Sequence, residues 1–369
     1  MCYNLADMRI LRIVGSFGFI LNNDWLQPEG SNNYIGGTQI QSFLLTQKMS
    51  DEGVEQDVFT RDARVNNFLI KNVKFYSCGI RGDYLFPIYS IIYSFKKKYD
   101  FIHVHVGISP FIPITGLILS KIKRIPLICT VNLSWERIQG YGLIHTYLCR
   151  ISERLVLKNA SAVVSLMSGN SNKKYIYIPD IIEDTFFKTK IVNNRSKYIL
   201  FVGRFVYQKG VDILVKSYEK SNLSSRGISL ILVGSNRNYL PKKLTSNVVV
   251  YEHLSRKRVA KLMSNAIALV LPSRFEERGT VVGESLAVGT PVILSDLENL
   301  HSAYFNFPKK SINFFNLEQF NLTRVLNNID RLILKINERK KMRLYANKFN
   351  ADQVSNAYMN LYKKYEKGN

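Results

Sequence analysis

Residues 274–293 read RFEERGTVVGESLAVGTPVI. They follow the apolar run AIALVLPS (266–273), which reads as a buried strand opening into a loop. VVGESLAV then reads as a short helix that stops at Gly289 and Pro291, and PVILSD reads as the next strand. Strand, loop, helix, strand, with continuous apolar strands, is the pattern of a parallel sheet covered on both faces. Glu276 falls in the loop and Glu284 in the helix, seven residues intervening, in a chain of net charge +23. Helix N-terminal amides form an anion site, and an ionised carboxylate is acceptor-only, able to hold vicinal hydroxyls. Helix capping with ordinary surface charge explains the same two carboxylates taken alone.

The alternation extends in both directions. Strands are expected at RILRIVGSF, EQDVFT, VKFYSC, FIHVHV, PLICTV and SAVVSL, then at YILFVG, ISLILVG, VVVYEH, IALVLPS and PVILSD, with helices between them. Two such series give two Rossmann-like domains, and 369 residues exceed one ordinary core. The periodicity lapses over 178–196, so the expected domains are 1–183 and 184–350. A last helix, 351–369, is expected to pack back on the first domain. After 296 the sequence reads as helices only, including one long helix over LEQFNLTRVLNNIDRLILKI.

Composition excludes several classes. With 46% apolar and 12% aromatic residues, global disorder is excluded. The four cysteines lie far apart, without metal-ligand spacing, and are read as free thiols in a reducing compartment. Residues 101–120 carry no formal charge, but two His, two Pro and two Gly split them into a strand and a following helix instead of a membrane span. The N-terminus lacks the charged-then-apolar order of a signal peptide. Charge is uneven: residues 1–185 hold 20 Lys+Arg and 15 Asp+Glu, the remainder 31 and 13. Such an excess favours polyanionic partners. No RRM-like aromatic pattern, zinc spacing or helix-turn-helix accompanies it, so nucleic acid is not expected.

Two further stretches carry chemistry. In YIGGTQIQSFLL, Gly36 and Gly37 permit close backbone approach before a helix, or form a plain tight turn. In YILFVGRFVYQKGVDILVKSY a strand ends at Gly203, Arg204 follows, and Lys209 precedes Gly210 and a helix. Arg offers a bidentate fork and Lys a point charge at the carboxyl end of a parallel strand, a pairing suited to a diphosphate.

In order, GG at 36–37, VGRFVYQKG at 202–210 and PSRFEERGTVVGESLAVGTPV at 272–292 resemble the retaining GT-B glycosyltransferases of family four, the glycosyl transferases group 1. The resemblance implies an α/β GT-B fold, two Rossmann-like domains with parallel sheets facing a central cleft. It implies that Arg204 and Lys209 bind the donor diphosphate, Glu284 the nucleotide ribose and Glu276 the donor sugar. Gly203, the Thr280, Val281 and Val282 amides, and Gly36 and Gly37 are implied near the donor. FIHVHVG resembles the family's D-I-I-H-x-H strand, with His105 at its end facing the cleft as a catalytic candidate and His103 structural. The sequence departs from the family at Asn132 (often His), Asp180-Ile181 (Asn-Gly), Glu298-Asn299 (Gly-Gly) and Glu277-Arg278.

The implied activity is hexosyl transfer with retention, from a nucleotide-diphospho-sugar to a saccharide or polyprenyl-linked acceptor, in bacterial O-antigen or capsule synthesis. No cofactor or metal is expected, the fixed cations taking the metal's role. The stretch 94–158 holds 10 Lys+Arg and 3 Asp+Glu beside apolar helices. An anionic membrane surface is therefore an expected partner, with a cytoplasmic, peripheral inner-membrane location. A non-catalytic nucleotide-sugar binder, an epimerase and a glycogen-synthase-like enzyme of the same fold are the alternatives.

Overall fold

The computed structural model describes residues 8–15, 37–61, 70–77, 85–107, 109–132, 142–165, 175–193, 196–252, 254–276, 279–304, 306–317 and 319–366. The chain divides into two compact units, bounded at Ile181/Ile182 and again at Asn350/Ala351, where it re-enters the first.

In the first unit, β1 (Arg9–Val14), β2 (Glu55–Thr60), β3 (Val73–Ser77), β4 (Phe101–Val106), β5 (Leu127–Val131), β6 (Ala162–Ser165) and β7 (Tyr175–Tyr177) form one sheet of order β3-β2-β1-β4-β5-β6-β7. Every pairing is parallel. Alternate residues of each strand feed two cores. On one face Ile10, Phe101, Ile128 and Val164 pack with α1 (Gly37–Asp51) and the last helix, α12 (Ala351–Tyr365). On the other, Leu11, Ile102, Val104 and Cys129 pack with α2 (Phe86–Ser94), α3 (Phe111–Lys123) and α4 (Leu143–Asn159). A strand buried on both faces is apolar at most positions on either side, which is why the sequence shows runs and not alternation. The uncharged stretch 101–120 is β4, buried throughout, followed by the start of α3. Among the described residues no helix is long and apolar enough to cross a membrane.

In the second unit, β8 (Tyr198–Val202), β9 (Ser229–Val233), β10 (Val248–Tyr251), β11 (Leu269–Leu271), β12 (Val292–Ser295) and β13 (Ile312–Phe315) form an all-parallel sheet of order β10-β9-β8-β11-β12-β13. Around it run α5 (Asp184–Lys188), α6 (Val211–Glu219), α7 (Arg256–Asn265), α8 (Thr280–Ala287), α9 (Glu298–Tyr304), α10 (Gln319–Asn327) and α11 (Ile336–Ala346).

Strands β7 and β13 go beyond the sequence reading. Both are short and mostly half-buried, and each hydrogen-bonds to one neighbour, so neither carries the fully apolar run that marks a central strand. The long helix expected over 317–336 ends at Asn327. There the Asn328 side chain donates to the Arg324 carbonyl at 2.8 Å, taking over a backbone acceptor that the helix would otherwise use.

Candidate functional site

In both sheets the strand order reverses beside the first strand, between β1 and β4 and between β8 and β11. Ligands of open α/β sheets bind beyond the carboxyl ends of strands at such a switch point. Arg204 and Glu276 follow β8 and β11 respectively, so the second unit's switch point gathers the motif residues.

Two loops are fastened together there. Arg274 donates to both carboxylate oxygens of Asp212, at 2.8 and 2.6 Å, and to the Tyr207 carbonyl at 2.7 Å. Its guanidinium lies 3.9 Å from the Tyr207 ring centroid. Burial alone raises the Asp212 carboxyl, but Arg274 outweighs it and the group sits below its ordinary value. Gly210 closes the turn at φ 64°, and a Cβ there would stand 1.9 Å from the Pro272 carbonyl oxygen, so only glycine fits.

This fastening brings Lys209 to Glu276. The Lys209 ammonium donates to Glu276 Oε2 at 2.6 Å, Ser273 Oγ donates to the same oxygen at 3.2 Å, and the Gly279 amide donates to Oε1 at 3.3 Å. Asn299, one of the departures, donates to the Glu276 carbonyl at 2.6 Å and ties α9 to the loop. Arg204 is exposed, and Gly203 sits at φ 155° between it and β8. Among the described residues no carboxylate pairs with Arg204. Glu277 and Arg278 lie outside the described residues.

Helix α8 starts behind Gly279, which has φ 58°. Thr280 and Val281 are half-buried; the Val282 side chain is in the core, and its amide donates to the Gly279 carbonyl at 2.7 Å, inside the turn. The helix's far end is anchored by α11: Arg339 Nε donates to the Gly289 carbonyl and Arg343 Nε to that of Ala287, each at 2.7 Å. Two arginines of the basic C-terminal half are thus spent internally.

Glu284, on α8, is 5% exposed. Its partner is Arg256, the first residue of α7, whose guanidinium bonds Glu284 Oε1 closely and Glu183 Oε1 at 2.6 Å, and lies 4.7 Å from the Phe186 ring centroid. Burial lowers the Arg256 pKa, but Glu284 and Glu183 together carry it above the ordinary value. Burial raises Glu183, with Arg256 opposing and Glu284 adding. The two carboxylates keep unfilled acceptor lone pairs beyond those that meet Arg256, so the triad can receive hydroxyl donors. Sequence reasoning passed over Arg256 and Glu183. The available signal was electrostatic: RKR fills the first turn of α7, where the helix dipole disfavours cations, so a carboxylate counterpart was called for.

In the first unit the expected residues are arranged differently. Gly36 lies outside the described residues, and Gly37 is the first residue of α1. His105 is 4% exposed, with Nδ1 3.2 Å from Ser42 Oγ and 3.3 Å from Asn132 Nδ2, and Nε2 3.0 Å from Arg12 Nη1. A shallow cavity reaches it, lined also by Gln41, Asn132, Asp180 and Tyr358. Departure positions Asn132, Asp180 and Ile181 therefore surround His105, and Gln41 clasps the Ile181 backbone, donating to its carbonyl at 2.9 Å and accepting from its amide at 2.7 Å. His103 is fully buried; Nδ1 faces Arg12 and Tyr362 Oη at 3.1 and 2.6 Å, and Nε2 faces Thr130 Oγ1 at 2.8 Å. Burial, then His105 and Arg12, hold its pKa well below the ordinary value. Among the described residues no three His, Cys, Asp or Glu side chains gather as a metal site, and Cys129 and Cys149 are buried free thiols.

Two doubly wound parallel units in one chain, the second with a cation and carboxylates at its switch point, define the GT-B class of fold. The structure of Anabaena Alr3699/HepE in complex with UDP superposes with a TM-score of 0.71 at 16% identity, over 97% of this chain and all of that one. Residues 182–349, within the second unit, match the family model "Glycosyl transferases group 1". An uncharacterized glycosyltransferase of Methanocaldococcus jannaschii is 34% identical over 116 residues, 30% of each chain. An uncharacterized 41.2 kDa protein in the cps region of Klebsiella pneumoniae is 27% identical over 224 residues, 60% of each. The chain thus spans between about a third and three fifths of these curated relatives.

Proposed function

We propose that the protein is a glycosyltransferase that moves a hexosyl group from a nucleotide-diphospho-sugar to a saccharide or polyprenyl-linked acceptor, with retention at the anomeric carbon. The observation that carries this reading is the Lys209–Glu276 pair at the β8/β11 switch point, with Arg204 exposed just after β8. As the bond between the anomeric carbon and the diphosphate breaks, negative charge grows on the departing oxygens. Arg204 and Lys209 meet it without a metal or other cofactor, the electrostatic role of preorganised cations. Lys209 is held in place by Glu276 before the donor arrives, so little reorganisation is needed when its charge is called upon. Glu276 then faces the donor sugar, and Glu284, held by Arg256, accepts from the ribose hydroxyls. Gly203 and the first turn of α8 approach the donor, and His105 is the catalytic candidate of the first unit.

A UDP donor is favoured by the complex reported for the structural neighbour, and a role in surface polysaccharide synthesis, at the cytoplasmic face of the inner membrane, by the cps-region relative. The test is thermal stabilisation by UDP-, GDP-, ADP- and dTDP-sugars, since a ligand bound only to the native state raises the melting temperature. One nucleotide series should shift it in proportion to log concentration. No shift with any of them removes the donor site.

A further inference from the structure

Large apolar side chains are unusually exposed on one helical layer of the first unit. On α4, Leu143, Tyr147, Ile151 and Leu155 recur every fourth residue and are all exposed, Leu143 at 90%. Ile144, at 79%, and Leu148 widen the stripe. Arg150, Arg154 and Lys158 form a second exposed row at the same spacing, one residue round the helix. The opposite side, through Cys149, Ser152 and Val156, is buried. The adjoining helices α3 and α2 repeat the theme at their carboxyl ends, with Ile122 beside Lys121 and Arg124, and Ile92 and Phe95 beside Lys96 and Lys98. Lys123 binds the two ends together, donating to the Phe95 and Lys97 carbonyls at 3.2 and 2.8 Å.

We infer that this α2–α3–α4 face docks on an anionic lipid surface. An apolar stripe alongside a cationic row is what an interfacial helix presents, the apolar side chains entering the acyl boundary and the cations meeting headgroup phosphates. Charge decides against a second copy of the chain. The one acidic residue of α4, Glu153, is buried, so two such faces brought together would oppose cation to cation. The stripe is most exposed at the amino end of α4, which follows the carboxyl end of β5 and the cavity beside His105. A bilayer held there would present a polyprenyl-linked saccharide to the edge of the sheet where ligands bind. The inference deepens the proposed function by naming the face that meets the lipid, and rests on that reading only for the acceptor.

The test is flotation of the full chain with phosphatidylcholine vesicles and with vesicles containing phosphatidylglycerol, no nucleotide being present. Binding is expected to the anionic vesicles alone and to fall with added salt. At about 1 kcal/mol per cation near an anionic surface, Arg150→Gln with Arg154→Gln should weaken it roughly thirtyfold. Leu143→Ser with Tyr147→Ser should weaken it by about tenfold or more through lost apolar burial. Lys242→Gln with Lys243→Gln, on the second unit, should leave it unchanged. Absence of binding, equal binding to neutral vesicles, or full binding by either α4 pair overturns the inference. So does an α4 pair that converts a dimer to monomers in sedimentation while still floating. Nucleotide-induced melting shifts, measured without vesicles, should survive both α4 pairs, which separates failure of this face from failure of the donor site.

Discussion

The two switch points share a topology and differ in what fills them. Beyond β8 and β11 the backbone turns on glycines, Gly203, Gly210 and Gly279, and the charged groups that converge are exposed or paired across a short gap. Beside β1 and β4 the space is taken up by side chains. Arg12 lies fully buried against Gln56, Met49 and two histidines, with burial lowering its pKa, and α12 covers the cluster with Tyr358 and Tyr362. Burial pushes the Tyr362 hydroxyl up to about 12 despite Arg12 nearby. A cation kept among neutral polar partners is structural wiring, whereas a cation kept beside a carboxylate at the rim can trade that partner for a phosphate. On that difference rests the proposal that the second unit meets the anionic donor.

The largest expected effect tests the wiring of that unit. Arg256→Ala leaves Glu183 and Glu284 together without their shared cation. Removing one partner of a buried ion pair costs about 3–5 kcal/mol, and the one-fifth exposure of the Arg256 side chain lowers the expectation to about 2–4 kcal/mol. Urea unfolding should show the midpoint fall. Arg256→Ala with Glu183→Gln should recover part of the loss, because one of the two crowded charges is gone. An unchanged midpoint in the single variant would mean that the triad does not hold α7 to α8.

Next in size is Lys209→Ala. If Lys209 stabilises the departing diphosphate, turnover should drop by about 100- to 1,000-fold, the usual cost of removing one preorganised charge-stabilising group. Donor KM should change far less. Glu284→Ala should show the opposite split, chiefly weaker donor binding, since one or two hydroxyl bonds to a charged acceptor are worth about 1.5–3 kcal/mol each. Initial-rate kinetics on the donor that emerges from the melting screen separates the two. Equal effects on kcat and KM in both variants would break the division of roles.

Much of the fold was legible because fully buried parallel strands write themselves as apolar runs: eleven of the thirteen strands among the described residues stood out, and β7 and β13 were hidden by being short, half-buried edges. The donor-side motif was legible as spacing, with Lys209 and Glu276 both visible 67 residues apart. Their contact was not, because it depends on Arg274 fastening one loop to the other. Arg274 reads in the sequence as one more surface cation. The same holds for Arg256, Arg339 and Arg343, each of which ends in a carboxylate or a ring of carbonyls. The net charge of a segment says nothing about how many of its arginines face inward.

The smallest effect concerns His103 and separates wiring from chemistry in the first unit. Its ring is enclosed by Arg12 from β1, His105 from β4, Thr130 from β5 and Tyr358 and Tyr362 from α12, none of them anionic at neutral pH. The folded protein therefore holds it neutral, while the unfolded chain binds a proton below about pH 6.5. The unfolded state binds more protons, so stability is present above that pH and declines as pH falls, by up to about 1.4 kcal/mol per pH unit. The raised pKa of Glu183 titrates independently of residue 103 and cancels when two variants are compared. His103→Gln should cost some stability at every pH yet flatten the decline between pH 6.5 and 5 by close to one proton's worth, read as the slope of urea-unfolding free energy against pH. If the slope is unchanged, His103 is protonated in the folded state, and the Arg12 cluster must contain a counter-charge that compensates it.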